Sequence, residues 1–144
     1  MTPDVEQAAA TARAFQRSSG ATRVVLLLDR DGDAIMIDCE ERITVTQDDT
    51  TTELTPHAVP KPLHRLTPVP ASAIAIDVET GELSAPLGTI EHLARATLDL
   101  ATAFGGRTVA TAEFATRDPE LPITFAAREG EPVVLGAGDA QYEL

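Results

Sequence analysis

Apolar residues recur at helical spacing in two stretches of the chain and alternate with polar ones over most of the remainder. Val5, Ala8, Ala9, Ala12 and Phe15 fall on one stripe of the segment Thr2 to Gly20, the recurrence expected of a helix resting on a core. Thr2 suits the capping position, Pro3 the first helical position, Asp4 and Glu6 the positively polarised first turn, and Gly20 the terminus. The stripe is shallow, because its residues are mostly small, so this helix needs a flat partner.

β-Branched residues and leucine concentrate from Thr22 to Asp29 and again from Ala34 to Cys39. Asp31-Gly32 between them supplies the positive backbone angles of a tight hairpin turn. Arg42 to Thr46 continues the pattern, with Thr51 to Leu54 as a further candidate, and both alternate as strands with one wet face should.

Five of the ten prolines then fall between Thr55 and Pro70. Each removes a backbone donor and pushes its predecessor toward extended geometry, so the stretch 55–70 is an ordered extended loop or a mobile flap. Ala73 to Val78 and Glu82 to Ala85 flank Glu79-Thr80-Gly81, a second hairpin signal. Ile90, Leu93, Ala94, Thr97, Leu98, Ala101 and Phe104 define the second helix, with Glu91 in its first turn and Gly105-Gly106 at its end. Thr108 to Ala115, Ile123 to Arg128 and Val133 to Gly136 read as strands, while Gly136 to Leu144 carries no helix signal.

This order predicts a single α+β domain over residues 1–144: an antiparallel sheet of five to seven strands with two α-helices packed on one face, in the order α, strands, α, three strands. The reason is volume. Two shallow helices cannot bury each other, whereas a sheet bearing Val24, Leu26, Leu28, Ile35, Ile37, Val109, Phe125 and Val133 offers the missing apolar surface. Helix, glycine, arginine and hairpin occur twice, at Gly20-Arg23 and at Gly106-Arg107. The general tendency of α+β folds to lay a helix over a β-meander accounts for that echo. Val24 to Leu28 is apolar in both alternation phases, which leaves part of one sheet face uncovered and favours a homodimer.

Composition narrows the function classes. Acidic side chains outnumber basic ones 23 to 11, for a net charge of -12 over 144 residues. Nucleic acids and anionic membranes draw proteins through clustered Lys and Arg, and no such cluster exists here. No apolar run approaches the length of a membrane span. The opening MTPDVEQ lacks the basic start and apolar stretch of a secretory signal, and the single cysteine, Cys39, suits a reducing compartment, so a cytoplasmic location is expected.

The residues that carry chemistry do not assemble into a site along the sequence. Asp29, Asp31, Asp33 and Glu40 match four positions of a calcium-binding loop, but Ala34 stands where that loop needs glycine and the flanks read as strands. His57, His64 and His92 lack metal-ligand spacing. Acidic neighbours raise the Cys39 thiol pKa, the reverse of activation. Gly105-Gly106-Arg107 and Gly136-Ala137-Gly138-Asp139 do not stand between a strand and a helix start, where glycines cradle phosphate. No catalytic, cofactor-binding or metal-binding residue is therefore assigned.

The run from Phe15 to Ile37, a helix end followed by Val24-Val25-Leu26-Leu27-Leu28 and an Asp-Gly turn, resembles the opening of Roadblock/LC7 domains. The later helix followed by three strands suits that order, whereas the long insertion between residues 39 and 90 and the lack of a closing helix depart from it. In architecture alone the chain is similar to small acidic secretion chaperones, which are α+β homodimers. Both resemblances imply binding proteins. The leading expectation is a small acidic protein-interaction or regulatory module without catalysis. The alternative is a small-ligand binder or enzyme whose site assembles near the proline-rich loop from His57, His64 and a carboxylate such as Asp29 or Asp77.

Overall fold

The computed structural model describes residues 3–30, 32–63, 67–77 and 79–144. Helix α1 (Pro3–Ser19) is followed by strands β1 (Arg23–Arg30), β2 (Asp33–Cys39), β3 (Ile43–Gln47) and β4 (Thr50–Leu54). A long connection then carries one 3-10 turn (Ala71–Ala73) and the two-stranded ribbon β5 (Ala75–Ile76) and β6 (Leu83–Ser84). Helix α2 (Thr89–Thr102) follows, with β7 (Val109–Phe114), β8 (Ile123–Arg128), β9 (Val134–Ala137) and β10 (Ala140–Glu143) behind it.

The main sheet is antiparallel and has eight strands, in the order β10-β9-β8-β7-β1-β2-β3-β4. That exceeds the five to seven expected from the sequence. The additional strand is β10: the tight turn Gly138-Asp139, with Gly138 at φ +60°, returns the chain so that Tyr142 pairs with Leu135. Four strands, not three, thus follow α2. Each half of the chain is a helix followed by four strands, and the strand order is unchanged when the halves are exchanged. The echo noted in the sequence is therefore a repeated topology, joined at the centre where β1 pairs with β7.

Among the described residues both helices lie on the same face of the sheet. Val24, Leu26 and Leu28 of β1, Ile35, Ile37 and Cys39 of β2, and Ile43 and Val45 of β3 share one core with Val5, Ala8, Ala9, Ala12 and Phe15 of α1. Ala110, Ala112 and Phe114 of β7, with Ile123, Phe125 and Ala127 of β8, meet Leu93, Ala94, Leu100 and Ala101 of α2. Phe114 and Phe125 pack edge to face, ring centroids 5.7 Å apart, a favoured aromatic geometry. Val109 is a correction: it is only half-buried and points to the other face, while the smaller Ala110 and Ala112 lie under the helices and let them approach closely.

The described residues of the proline-rich stretch, 55–63 and 67–70, run as an extended strap over the helix layer. The Thr11 hydroxyl accepts the Lys61 N–H at 3.0 Å while donating to the Gln7 carbonyl at 2.9 Å. The Lys61 ammonium donates to the Ala103 carbonyl at 3.1 Å and stands 4.8 Å above the Phe104 ring, tying the strap to the negative end of α2. Further on, the Val69 N–H donates to the Ser19 carbonyl at 3.0 Å. This crossing requires Gly20, whose φ is +82° and where a Cβ would meet Val69 backbone atoms at 3.0 Å. The strap then buries Ile74 and receives the Arg117 N–H on the Ile74 carbonyl at 2.9 Å.

Candidate interaction surface

The sheet's second face carries no helix among the described residues. Strand alternation delivers to it Arg23, Val25, Leu27 and Asp29 from β1, Met36 and Asp38 from β2, and Val109, Thr111 and Glu113 from β7. Strand pairing arranges these into rows. Met36, Leu27 and Val109 lie side by side on three neighbouring strands, and Val25, Thr111, Ala126 and Val134 form the adjacent row on four. Leu27, at the middle, is 43% exposed, whereas Leu26 and Leu28 on either side of it are buried to 1% or less. A large aliphatic side chain at the centre of a solvated sheet face is the kind of feature that marks docking surfaces.

Charge frames the two rows. Arg23 donates to both carboxylate oxygens of Asp38, at 3.0 and 2.6 Å, and lies 3.4 Å from Glu40. Its guanidinium pKa is raised, chiefly by the Asp38 hydrogen bonds, against an opposing effect of burial. At the other end, Arg107 reaches Asp29 at 3.2 Å, linking the turn before β7 to the first hairpin. The rim therefore combines Arg23, Arg107 and Arg128 with Asp29, Asp38, Glu40 and Glu113, and the outer strands add Glu53 and Glu143 at the two ends of the Val25 row, so carboxylates outnumber arginines on this face.

The groups named for a ligand site do not converge. Asp29 is on the helix-free face, whereas the strap that carries His57 crosses the helices on the opposite side. His57 is exposed and follows β4 at one sheet edge. Asp77 sits in the β5–β6 hairpin, which joins the other edge where the Tyr142 hydroxyl donates to the Gly81 carbonyl at 2.9 Å. The Asp77 carboxyl pKa is lowered by the Glu79 and Thr80 N–H groups, the ordinary work of an Asx turn. His64 and Asp31 lie outside the described residues. His92 does border a 590 Å³ groove between Pro68, Val69 and Pro70 of the strap and the start of α2, but none of His57, Asp29 and Asp77 lines it.

Cys39 is buried, and its thiol is pushed up to about 11. Burial is the main cause, Arg13 opposes it, and Asp38 adds a smaller rise. The direction agrees with the sequence reading, though the dominant cause does not. Among the described residues no three His, Cys, Asp or Glu side chains are grouped to hold a metal ion, and no helix is long and apolar enough to cross a membrane.

Sequence reasoning saw apolar character in both phases of Val24 to Leu28 but placed Val109 in the core. The rows could have been found by treating Thr108, Ala110, Ala112 and Phe114 as one phase and Val109 and Thr111 as the other. In comparisons with family models, curated proteins and solved structures, no match to the chain is found.

Proposed function

We propose that the protein is a small acidic, cytoplasmic protein-interaction module that docks through the helix-free face of its sheet and performs no catalysis of its own. The observation that carries this reading is Leu27, exposed between Met36 and Val109 at the centre of a face whose rim is polar and charged. An apolar centre inside a polar rim is how protein interfaces are built. Removing it from water provides association energy, and the charged rim sets orientation. The acidity of the rest of the chain opposes nucleic acid and anionic membrane as partners.

The test is a photo-crosslinking amino acid placed at position 27 in the cells that make the protein, with one at exposed Thr102 of α2 as the control. The expected result is a discrete crosslinked species from position 27 that the control does not produce. Equal, diffuse labelling from both positions would remove the reading.

A further inference from the structure

We infer that the protein docked on this face presents an arginine, which seats in a cleft beside the apolar rows while neighbouring apolar side chains of the same segment cover Leu27. This rests on the docking role just proposed and adds the chemistry of the partner.

The cleft lies one row beyond the apolar pair. Glu113 pairs with Thr124 and Thr124 with Gly136, a third row that runs beside that of Ala126 and Val134, about 7 Å away along the strands. Gly136 does not have a positive φ, so what it supplies is space: a Cβ there would meet the Thr124 Oγ1 at 2.8 Å. Over this low floor opens a cleft of 320 Å³. Thr124, Gly136 and Gln141 line it from the sheet, and Glu120 and Asp139 line it from the turns before β8 and after β9.

Charge identifies the occupant. Both charged residues of the cleft are acidic, and among the described residues neither is engaged in an ion pair. Glu113 stands in the same row and Glu143 at the end of the next. The arginines across the face are already held, Arg23 by Asp38 and Glu40, and Arg107 by Asp29. A cation entering the cleft therefore meets two carboxylates together with the Gln141 amide and the Thr124 hydroxyl. These acceptors come from separate elements, and a planar guanidinium with five donors serves several at once, where an ammonium acts as a single point charge. The arginine stem lies along Leu121 and Pro122 at the cleft wall. A second copy of the chain would bring two acidic faces together, so the occupant is another protein. The net charge of -12 steers an arginine-bearing partner toward the molecule, and the apolar rows and the cleft fix where it lands.

The spacing suits one continuous segment. Leu27 and Gly136 are three strands and two rows apart, about 20 Å, which about six extended residues span.

The test pans phage-displayed random peptides of about ten residues on the immobilised full chain in about 50 mM NaCl. The expected result is enrichment of peptides that carry an arginine about six residues from an apolar side chain. Synthetic versions should bind at least about tenfold more weakly to Leu27→Asp and to the double variant Glu120→Gln/Asp139→Asn. Both cleft positions are exposed, and circular dichroism checks that each variant folds, with Leu27→Gln replacing Leu27→Asp if that variant does not. Asp4→Asn/Glu91→Gln removes the same charge from the exposed helix surface and should retain the affinity. Raising NaCl to about 500 mM should weaken binding to the wild type more than to the cleft variant. An absence of enriched peptides overturns the inference, as do peptides that bind equally well with lysine in place of arginine or that lose as much affinity to the helix variant as to the cleft variant. Enriched peptides that depend on Leu27 but lack arginine remove the inference and leave the docking surface standing; no Leu27-dependent peptide and no crosslink from position 27 remove both.

Discussion

Leu27 of β1 stands directly across from Val109 of β7, and this pair joins the two halves of the chain on the face that no helix covers among the described residues. Its neighbours in sequence, Leu26 and Leu28, point the opposite way into the core. The two faces therefore respond differently to the same change. Leu27→Asp is expected to cost about 1 kcal/mol, the scale of strand preference at a solvated position, while Leu26→Asp buries an unpaired charge and costs more than about 4 kcal/mol. Urea denaturation of the two variants checks the contrast, and similar losses would mean that the open face is misassigned.

Gly136 of β9 lies opposite Thr124 of β8, and a Cβ added there would meet the Thr124 Oγ1 at 2.8 Å. Alanine normally stabilises a strand relative to glycine. Here the clash reverses the sign, so Gly136→Ala is expected to destabilise by about 1 kcal/mol. Adding Thr124→Ala should recover most of that loss. The measurement is a double-mutant cycle by chemical denaturation, in which additive effects would show that Thr124 does not constrain the glycine.

The buried Cys39 thiol links stability to alkaline pH. Its pKa is raised from 9.0 to about 11 in the folded chain, so the folded state keeps the proton that the unfolded state releases. The stabilisation from this difference is fully present below pH 9.0 and declines as pH rises toward about 11, by roughly 2 kcal/mol. Cys39→Ala should remove this part of the pH dependence. Comparing urea midpoints of the two proteins on either side of that window isolates it, because every other titrating group is common to both. Identical pH slopes would contradict the assignment.

Thr11 is where the strap meets α1. Its hydroxyl accepts the Lys61 N–H, and Thr11→Val keeps the shape while leaving that donor unpaired. The expected loss is about 1–2 kcal/mol, with faster proteolytic nicking in the strap near Lys61. Limited proteolysis followed by mass spectrometry reads the cut site. An unchanged cleavage rate would show that the strap is held from elsewhere.

Much of this architecture can be read from local chemistry, and the misses have physical causes. Both helices are announced by stripes and termini: Val5 to Phe15 before Gly20, and Leu93 to Phe104 before Gly105. The first hairpin follows from its two leucine- and isoleucine-rich strands. β10 escaped because Ala140-Gln141-Tyr142-Glu143 is short, and the pairing of Tyr142 with Leu135 that defines it is a tertiary matter. Val109 was assigned to the core because larger apolar side chains are buried more often. In β7 the helix above demands small residues, so alanines take the inside and the valine turns outward. The repeated topology was visible as an echo of patterning, but the β1–β7 pairing that joins the halves depends on distant contacts.

The most direct test of the docking surface is the exposure of the Met36 methyl group beside Leu27. Met1 and Met36 are the only methionines, so ¹³C-methyl methionine labelling yields two resonances, and a soluble nitroxide broadens whichever methyl is open to solvent. In extract of the source cells, the account predicts a Met36 signal shielded in the wild type and broadened in Leu27→Asp. Equal broadening in both would contradict the claim that this face is where the protein docks.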